Sequence, residues 1–226
     1  MHPTISLRSA APAIGVAGSR QPNFSLLSEV PELAGAVMPF ERNAEIYGEG
    51  EPSEYVYKVL SGCVRAYRVL SDGRRQVIGF YLPGDVFGLD LGGQHSVSTE
   101  AVANSKVLFV RQTALLKVAE RNADLTREIF TVVSSEIKRG YDHTLVLIRG
   151  AHERVAGFLL EMARRLPRGE AFELPMTRQD IADYLGLTIE TVSRTISLFE
   201  ETGKIALRTS RRIVLSNRPA LNALNS

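Results

Sequence analysis

A single cysteine, Cys63, is present among 226 residues. One thiol excludes an intramolecular disulfide and any cysteine cluster, and an iron–sulfur centre needs several thiolates. No hydrophobic run approaches the roughly 20 residues of a membrane-spanning helix. The first residues lack the basic flank and apolar stretch of a signal peptide, so a cytoplasmic location is expected. Charge of one sign is scarce too: 27 basic against 25 acidic residues leave a net charge of +2. Bulk electrostatics therefore say little about nucleic acid. Catalytic signatures are also missing: there is no Gly-rich phosphate loop, no HExxH and no nucleophile elbow. Asp142-His143 and His152-Glu153 fall in helical stretches, where sequence neighbours point in different directions. The chain is not read as an enzyme.

What is present is concentrated in residues 178–197, RQDIADYLGLTIETVSRTIS. Residues 178–185 read as a helix with Ile181, Ala182 and Leu185 inward. Gly186 stands at a sharp turn that favours positive φ. Leu187 packs inward, and Thr188 is an N-cap for a second helix that buries Ile189, Val192 and Ile196. Thr195 stands where an aliphatic residue often packs, and Ile196 is expected to take that role. Glu190, Ser193 and Arg194 then face solvent. A helix fits the major groove of B-DNA. There Arg suits guanine O6/N7, Glu accepts from cytosine N4, and Ser bonds a donor or an acceptor. The competing reading is two packed helices with a solvated face.

The flanks add to this. From Gly203 onward Lys204, Arg208, Arg211, Arg212 and Arg218 occur with no acidic residue. Such a tail suits phosphate contacts, or is simply a solvated basic edge. Residues 205–207 and 212–215 alternate around a turn and read as a two-stranded wing. The C-terminal unit, 150–226, is thus a winged helix-turn-helix with a weak helix at 219–224. A helix at 151–166 and a short strand at 171–174 precede the motif.

Residues 1–30 have the composition of an arm, with a short helix at 24–30. Residues 31–121 read as short strands punctuated by glycine turns, hence a closed or sandwiched β fold. Ser61-Gly62, Asp72-Gly73 and Asn104-Ser105 are taken as turns between separate strands. Asp124 caps a long helix within 122–149. Its stripe, Leu125, Ile129, Val132, Val133, Ile137, Tyr141, Leu145 and Ile148, forms one broad face. That face pairs with a second copy or packs inside its own subunit. Gly150 is a hinge candidate.

The motif resembles the DNA-binding element of the CRP/FNR superfamily of bacterial transcription regulators. The residues that carry the likeness are Met176-Thr177-Arg178, Asp180-Ile181, 184–188, Glu190-Thr191 and Ser193-Arg194. Gly62, Asp72-Gly73, Gly79-Phe80, Pro83-Gly84-Asp85 and Phe87-Gly88 match the spaced glycines of that family's β-roll. Within the superfamily the chain is most similar to the FixK-like branch of nitrogen-fixation regulators. The resemblance implies an α+β fold: an N-terminal double-stranded β-helix (a β-roll of the cyclic-nucleotide-binding kind), a long dimerisation helix and a C-terminal winged helix-turn-helix. It implies a homodimeric transcription regulator, mainly an activator, on double-stranded DNA of the TTGA…TCAA type. Arg194 would read the G·C pair, Glu190 the neighbouring base on the other strand and Ser193 the outer T. Arg178, Thr188, Thr191, Arg208 and Arg211 would meet phosphates. RNA polymerase would contact 79–93 and 151–168. A low-oxygen or nitrogen-fixation response is implied as the setting.

No cofactor is expected. The cyclic-nucleotide branch holds its phosphate with an Arg-Ser pair and its ribose with a Glu. Here His95-Ser96 and Leu89 stand at those places, and a buried phosphate needs a permanent cation or a nest of N–H donors. Cys63 alone cannot bind a cluster, and it starts an alternating strand as a core residue would. Haem through His2, His95, His143 or His152 lacks a recognisable ligand pair. The alternatives are an effector-responsive regulator of the same family, sensing a small molecule or redox change at Cys63, and a ligand-binding β-roll whose helix-turn-helix is only structural.

Overall fold

The computed structural model describes residues 33–90, 92–167 and 171–224. The arm at 1–30 with its helix at 24–30, His2 and the Arg168-Gly169 turn lie outside the described residues.

Residues 36–111 form an antiparallel β-roll of six strands: β1 (Ala36–Phe40), β2 (Glu45–Tyr47), β3 (Tyr55–Val69), β4 (Arg75–Tyr81), β5 (Val86–Phe87) and β6 (Ser98–Arg111). The strand order is β1-β6-β3-β4, with β2 paired to β6 and β5 to β3. The expected turns at Ser61-Gly62 and Asn104-Ser105 are not turns. Both lie inside single long strands, β3 and β6, which pair with each other and shift register between Val59 and Val64. Gly62 adopts φ +88° there. The Ser105 hydroxyl accepts from Cys63 N at 3.0 Å and donates to Ala103 O at 2.6 Å. The turn-forming residue types serve a bulge, which bends both strands without reversing them. Asp72-Gly73 does close the β3–β4 hairpin, with Leu70 N bonded to Arg74 O at 2.8 Å.

The chain then enters α1 (Gln112–Ala119) and the long α2 (Ala123–Leu147). The N-cap of α2 is Asn122, not Asp124: the Asn122 side chain accepts from Asp124 N and Leu125 N. The expected single stripe on α2 divides. Leu125 and Val132 are buried, and half-buried Ile129 joins them, in a cluster with Leu33, Val110, Leu115 and Val118 of the same subunit. Ile137, Tyr141, Leu145 and Ile148 are 55–79% exposed, as is Phe130 at 67%. Val133 lies between the two faces, half-buried.

Gly150 precedes α3 (Ala151–Arg165) in an extended conformation, φ −66° and ψ 156°. Next come β7 (Phe172–Glu173), α4 (Arg178–Leu185), α5 (Ile189–Glu201), β8 (Ala206–Leu207), β9 (Arg212–Val214) and α6 (Arg218–Leu224). The expected two-stranded wing is a three-stranded sheet, because β7 pairs with β9. Val155, Phe158, Leu159 and Met162 of α3 join Ile181, Leu185, Val192, Ile196 and Phe199 in one core. That core continues into Cys63, Val77 and Phe80 of the roll. Among the described residues no helix is long and apolar enough to cross a membrane.

Candidate nucleic-acid interface

Local chemistry builds the helix pair. Thr177 caps α4 by accepting from Asp180 N, and the Asp180 carboxylate accepts back from Thr177 N at 2.8 Å, a reciprocal capping box. Gly186 ends α4 in the left-handed region, φ 61° and ψ 41°. Thr188 caps α5 by accepting from Thr191 N at 3.2 Å. Val192, Thr195, Ile196 and Phe199 are buried. Thr195 and Ile196 thus share the inner face, and Leu187 packs against the same core.

Glu190, Ser193 and Arg194 lie together on the outer face and line one shallow cleft with Ile189. The expectation that Ile189 is buried fails: it is 37% exposed. As the first residue of α5 it stands almost one turn before Val192 on the same side of the helix, beyond the point where the buried stripe begins. Sequence periodicity misassigned it because an apolar residue at helical spacing reads as core. The Glu190 carboxylate is held below its ordinary pKa, first by its own backbone N–H and then by the Thr188 hydroxyl. It therefore stays an acceptor at neutral pH.

Cationic and hydroxyl groups lie on α4, on the wing and at the α5 N-terminus. Arg178 donates to Ser210 O of the wing at 3.1 Å, while its Nη1 is buried without a partner among the described residues. Burial pulls that guanidinium below its ordinary pKa. It borders a cleft of about 170 Å³ lined by Thr177, Ser210 and Arg211. Arg208 sits on the exposed wing hairpin, its N–H bonded to Arg212 O at 2.8 Å. Thr188 and Thr191 lie at the α5 N-terminus, their hydroxyl oxygens 3.1 Å apart. The sequence-derived positions thus fall into two groups: Glu190, Ser193 and Arg194 at one cleft on α5, and Arg178 and Arg211 at a second cleft between α4 and the wing.

Aromatic rings pack together inside the roll. Tyr47 stacks on His95 at 3.6 Å and packs on Tyr57 at 5.0 Å, and Tyr57 stacks on Phe87 at 5.1 Å. His95 Nδ1 and Ser96 Oγ both bind the Asp90 carboxylate, at 3.0 and 2.9 Å. Leu89 packs against the cluster around Leu115. Cys63 is buried, and burial pushes its thiol up to about 12.

Sequence reasoning missed what α4 touches on its other side. Asp180 Oδ1 accepts from Arg65 Nη1 at 2.5 Å and Arg75 Nη2 at 3.1 Å. Arg75 also grips Asp183 at 2.8 Å, and Gln76 donates to Asp183 O at 2.6 Å. From α2, His143 reaches Tyr184 O at 2.7 Å and stacks on the Tyr184 ring at 4.2 Å. No local signal marks these partners, since Arg65 and Asp180 are 115 residues apart.

Residues 153–224 match the Crp-like helix-turn-helix domain family, and residues 37–122 match the cyclic nucleotide-binding domain family. The nitrogen fixation regulation protein FixK of Azorhizobium caulinodans is 42% identical, covering 100% of this chain and 92% of that protein. The fumarate and nitrate reduction regulatory protein of Escherichia coli is 31% identical over 88% of this chain and 82% of its own length. The solved structure of FixK2 from Bradyrhizobium japonicum superposes with a TM-score of 0.83 at 46% identity, covering 86% of this chain and 98% of that one.

Proposed function

Given that the chain belongs to the CRP/FNR family of DNA-binding transcription regulators, we propose that it acts as a cytoplasmic homodimer on a TTGA…TCAA-type palindrome, mainly as an activator, without a small-molecule effector. The observation that carries this reading is the outer face of α5, where Glu190, Ser193 and Arg194 share one open cleft. Arg194 reads guanine, Glu190 accepts from the cytosine amino group and Ser193 meets the outer base pair. Ile189, exposed beside them, suits a thymine methyl. Arg178, Arg208, Arg211, Thr188 and Thr191 hold the flanking phosphates. The unpartnered Nη1 of Arg178 supports that assignment, since a buried donor without an acceptor is costly.

The exposed part of α2 supports the dimer. Phe130 and Ile137 are one heptad apart, as are Tyr141 and Ile148, the spacing of a coiled-coil seam. A two-fold through that seam sets two α5 helices on successive major-groove faces.

The filling of the roll supports independence from an effector. Stacked aromatic rings occupy its interior. A phosphate approaching His95-Ser96 would meet the Asp90 carboxylate. Leu89 has no group to bond a ribose hydroxyl. The buried, weakly acidic Cys63 lacks the exposed electropositive setting of a redox-reactive thiol. Contact with RNA polymerase belongs to this reading, through 79–93 and the α3 surface. So does a nitrogen-fixation or low-oxygen setting, from the likeness to FixK. The relatives are named as regulators, so the reading is of a regulator and not an enzyme.

Fluorescence anisotropy on the palindrome and on a scrambled duplex, with and without cyclic AMP, tests this reading. Specific binding that ignores the nucleotide is expected. Binding that needs the nucleotide would make the roll a sensor and overturn the effector-free reading.

A further inference from the structure

Two recognition helices must be held at a fixed separation for a palindrome of one spacing to be preferred. Successive base pairs rise about 3.4 Å. In a two-fold dimer a shift of about 1.7 Å in each protomer therefore moves the helices out of register by one base pair. The covalent path from α2 to the DNA-binding unit is short but runs through Gly150, in an extended break between helices. Contacts outside that path reach α4 directly, and α5 packs on α4 in their shared core.

Those contacts come from the roll and the long helix, not from α5. On one side β4 grips α4: Arg75 bonds Asp183 through both Nε and Nη2, at 3.0 and 2.8 Å, and Gln76 donates to Asp183 O at 2.6 Å. Arg65, held in place by Glu100 at 2.7 Å, adds the ion pair to Asp180. On the other side, His143 of α2 donates from Nε2 to Tyr184 O and stacks on its ring with planes 4° apart. Asp180 and Asp183 side chains are only 2% and 13% exposed. An apolar contact could slide by a fraction of a turn, but directional bonds in a poorly hydrated site tolerate one register.

We propose that the half-site spacing this regulator accepts is set by side chains that never touch DNA: Arg75, Gln76 and Arg65 of the roll and His143 of the dimer helix, which hold α4 at one tilt to the two-fold axis. They are positioning residues. The proposal rests on the palindrome-binding reading above, and it gives that reading a cause for working without a ligand: the orientation is built into the folded chain.

The test compares wild type with Arg75→Gln, Asp183→Asn and the double variant Arg75→Gln/His143→Leu. The targets are palindromes whose spacer is shortened or lengthened by one and two base pairs, with a duplex carrying one half-site as control. Sedimentation and thermal melting check assembly and folding. Wild type should bind one spacing sharply. The variants should lose on the order of tenfold on that spacing and lose less, or nothing, on its neighbours, so the profile flattens. Half-site binding should stay unchanged. An equally steep profile in a folded double variant would overturn the proposal. So would equal loss on the half-site, which would mean that the contacts support α4 itself rather than its tilt. Asp183→Asn removes one charge and leaves the Asp180 cap intact, so it reports on the latch even where the double variant does not fold. Failure of wild type to prefer any palindrome would instead refute the function proposed above, a distinguishable result.

Discussion

His143 and Tyr184 tie the long helix to the helix-turn-helix: Nε2 lies 2.7 Å from the Tyr184 carbonyl oxygen, and the two rings are stacked 4.2 Å apart. The carbonyl can only accept, so Nε2 carries the proton and Nδ1 is the group that titrates. Burial is the main cause of a His143 pKa below the ordinary value, partly offset by that hydrogen bond. The sign follows. Between the depressed folded value and the ordinary value of about 6.5 the unfolded chain binds more protons, so stability falls as pH drops through that window. Urea midpoints measured from about pH 7.5 to pH 5 should decline in wild type. His143→Gln, which keeps an N–H donor but does not titrate, should show a shallower decline over the same range. Identical slopes would remove His143 from the acid response.

Gly62 has no room for a side chain. Its φ is +88°, and a Cβ would lie 2.2 Å from Ser105 Oγ and 2.5 Å from Asn104 O. Gly62→Ala should cost about 2–4 kcal/mol in urea unfolding. Gly79 also belongs to the spaced-glycine pattern, but a Cβ there meets nothing within 4 Å. Gly79→Ala should stay within about 1 kcal/mol.

The exposed seam of α2 predicts a clean change of assembly. Ile137→Glu or Tyr141→Glu places a carboxylate on a surface that is 55% or 69% exposed in the single chain, leaving the subunit core intact. Sedimentation should show monomers that melt near the wild-type temperature. Affinity for the palindrome should fall by about 10²–10⁴-fold as the two half-sites become independent. Leu125→Glu, by contrast, should unfold the subunit, because Leu125 is fully buried against α1 and the roll.

Arg194 and Arg211 should fail in different ways. Arg194→Ala is expected to cost about 1–3 kcal/mol and to relax preference at one base pair. Arg211→Ala should weaken all sequences alike and reduce the salt slope by about two per dimer, since the contact occurs twice. Unchanged sequence preference in Arg194→Ala would reassign the guanine contact.

The parts legible from the residues were those whose partners lie within about four positions. Gly186 at its positive φ, Thr188 capping α5 and the buried Val192 and Ile196 are such cases, because caps and turns are satisfied by the nearest backbone groups. The outward set Glu190, Ser193 and Arg194 follows from the same helical period. Short-range signals misled where a distant strand decided the outcome. Ser61-Gly62 and Asn104-Ser105 have turn chemistry, but β3 and β6 bring Cys63 and Ser105 together across 42 residues and use it for a bulge. The stripe on α2 likewise carries no mark of which half the roll covers.

By itself the sequence determined the helix-turn-helix and the outward set on α5, since both rest on local period and capping; the β-roll followed from the family resemblance. Only the tertiary structure decided that Asp180 serves twice, with one carboxylate oxygen capping α4 and the other receiving Arg65 and Arg75. It also decided how the helix-turn-helix is held to the roll and to α2. Those bonds join groups more than 40 residues apart. Their geometry exists only once the separate cores have formed and been brought into register.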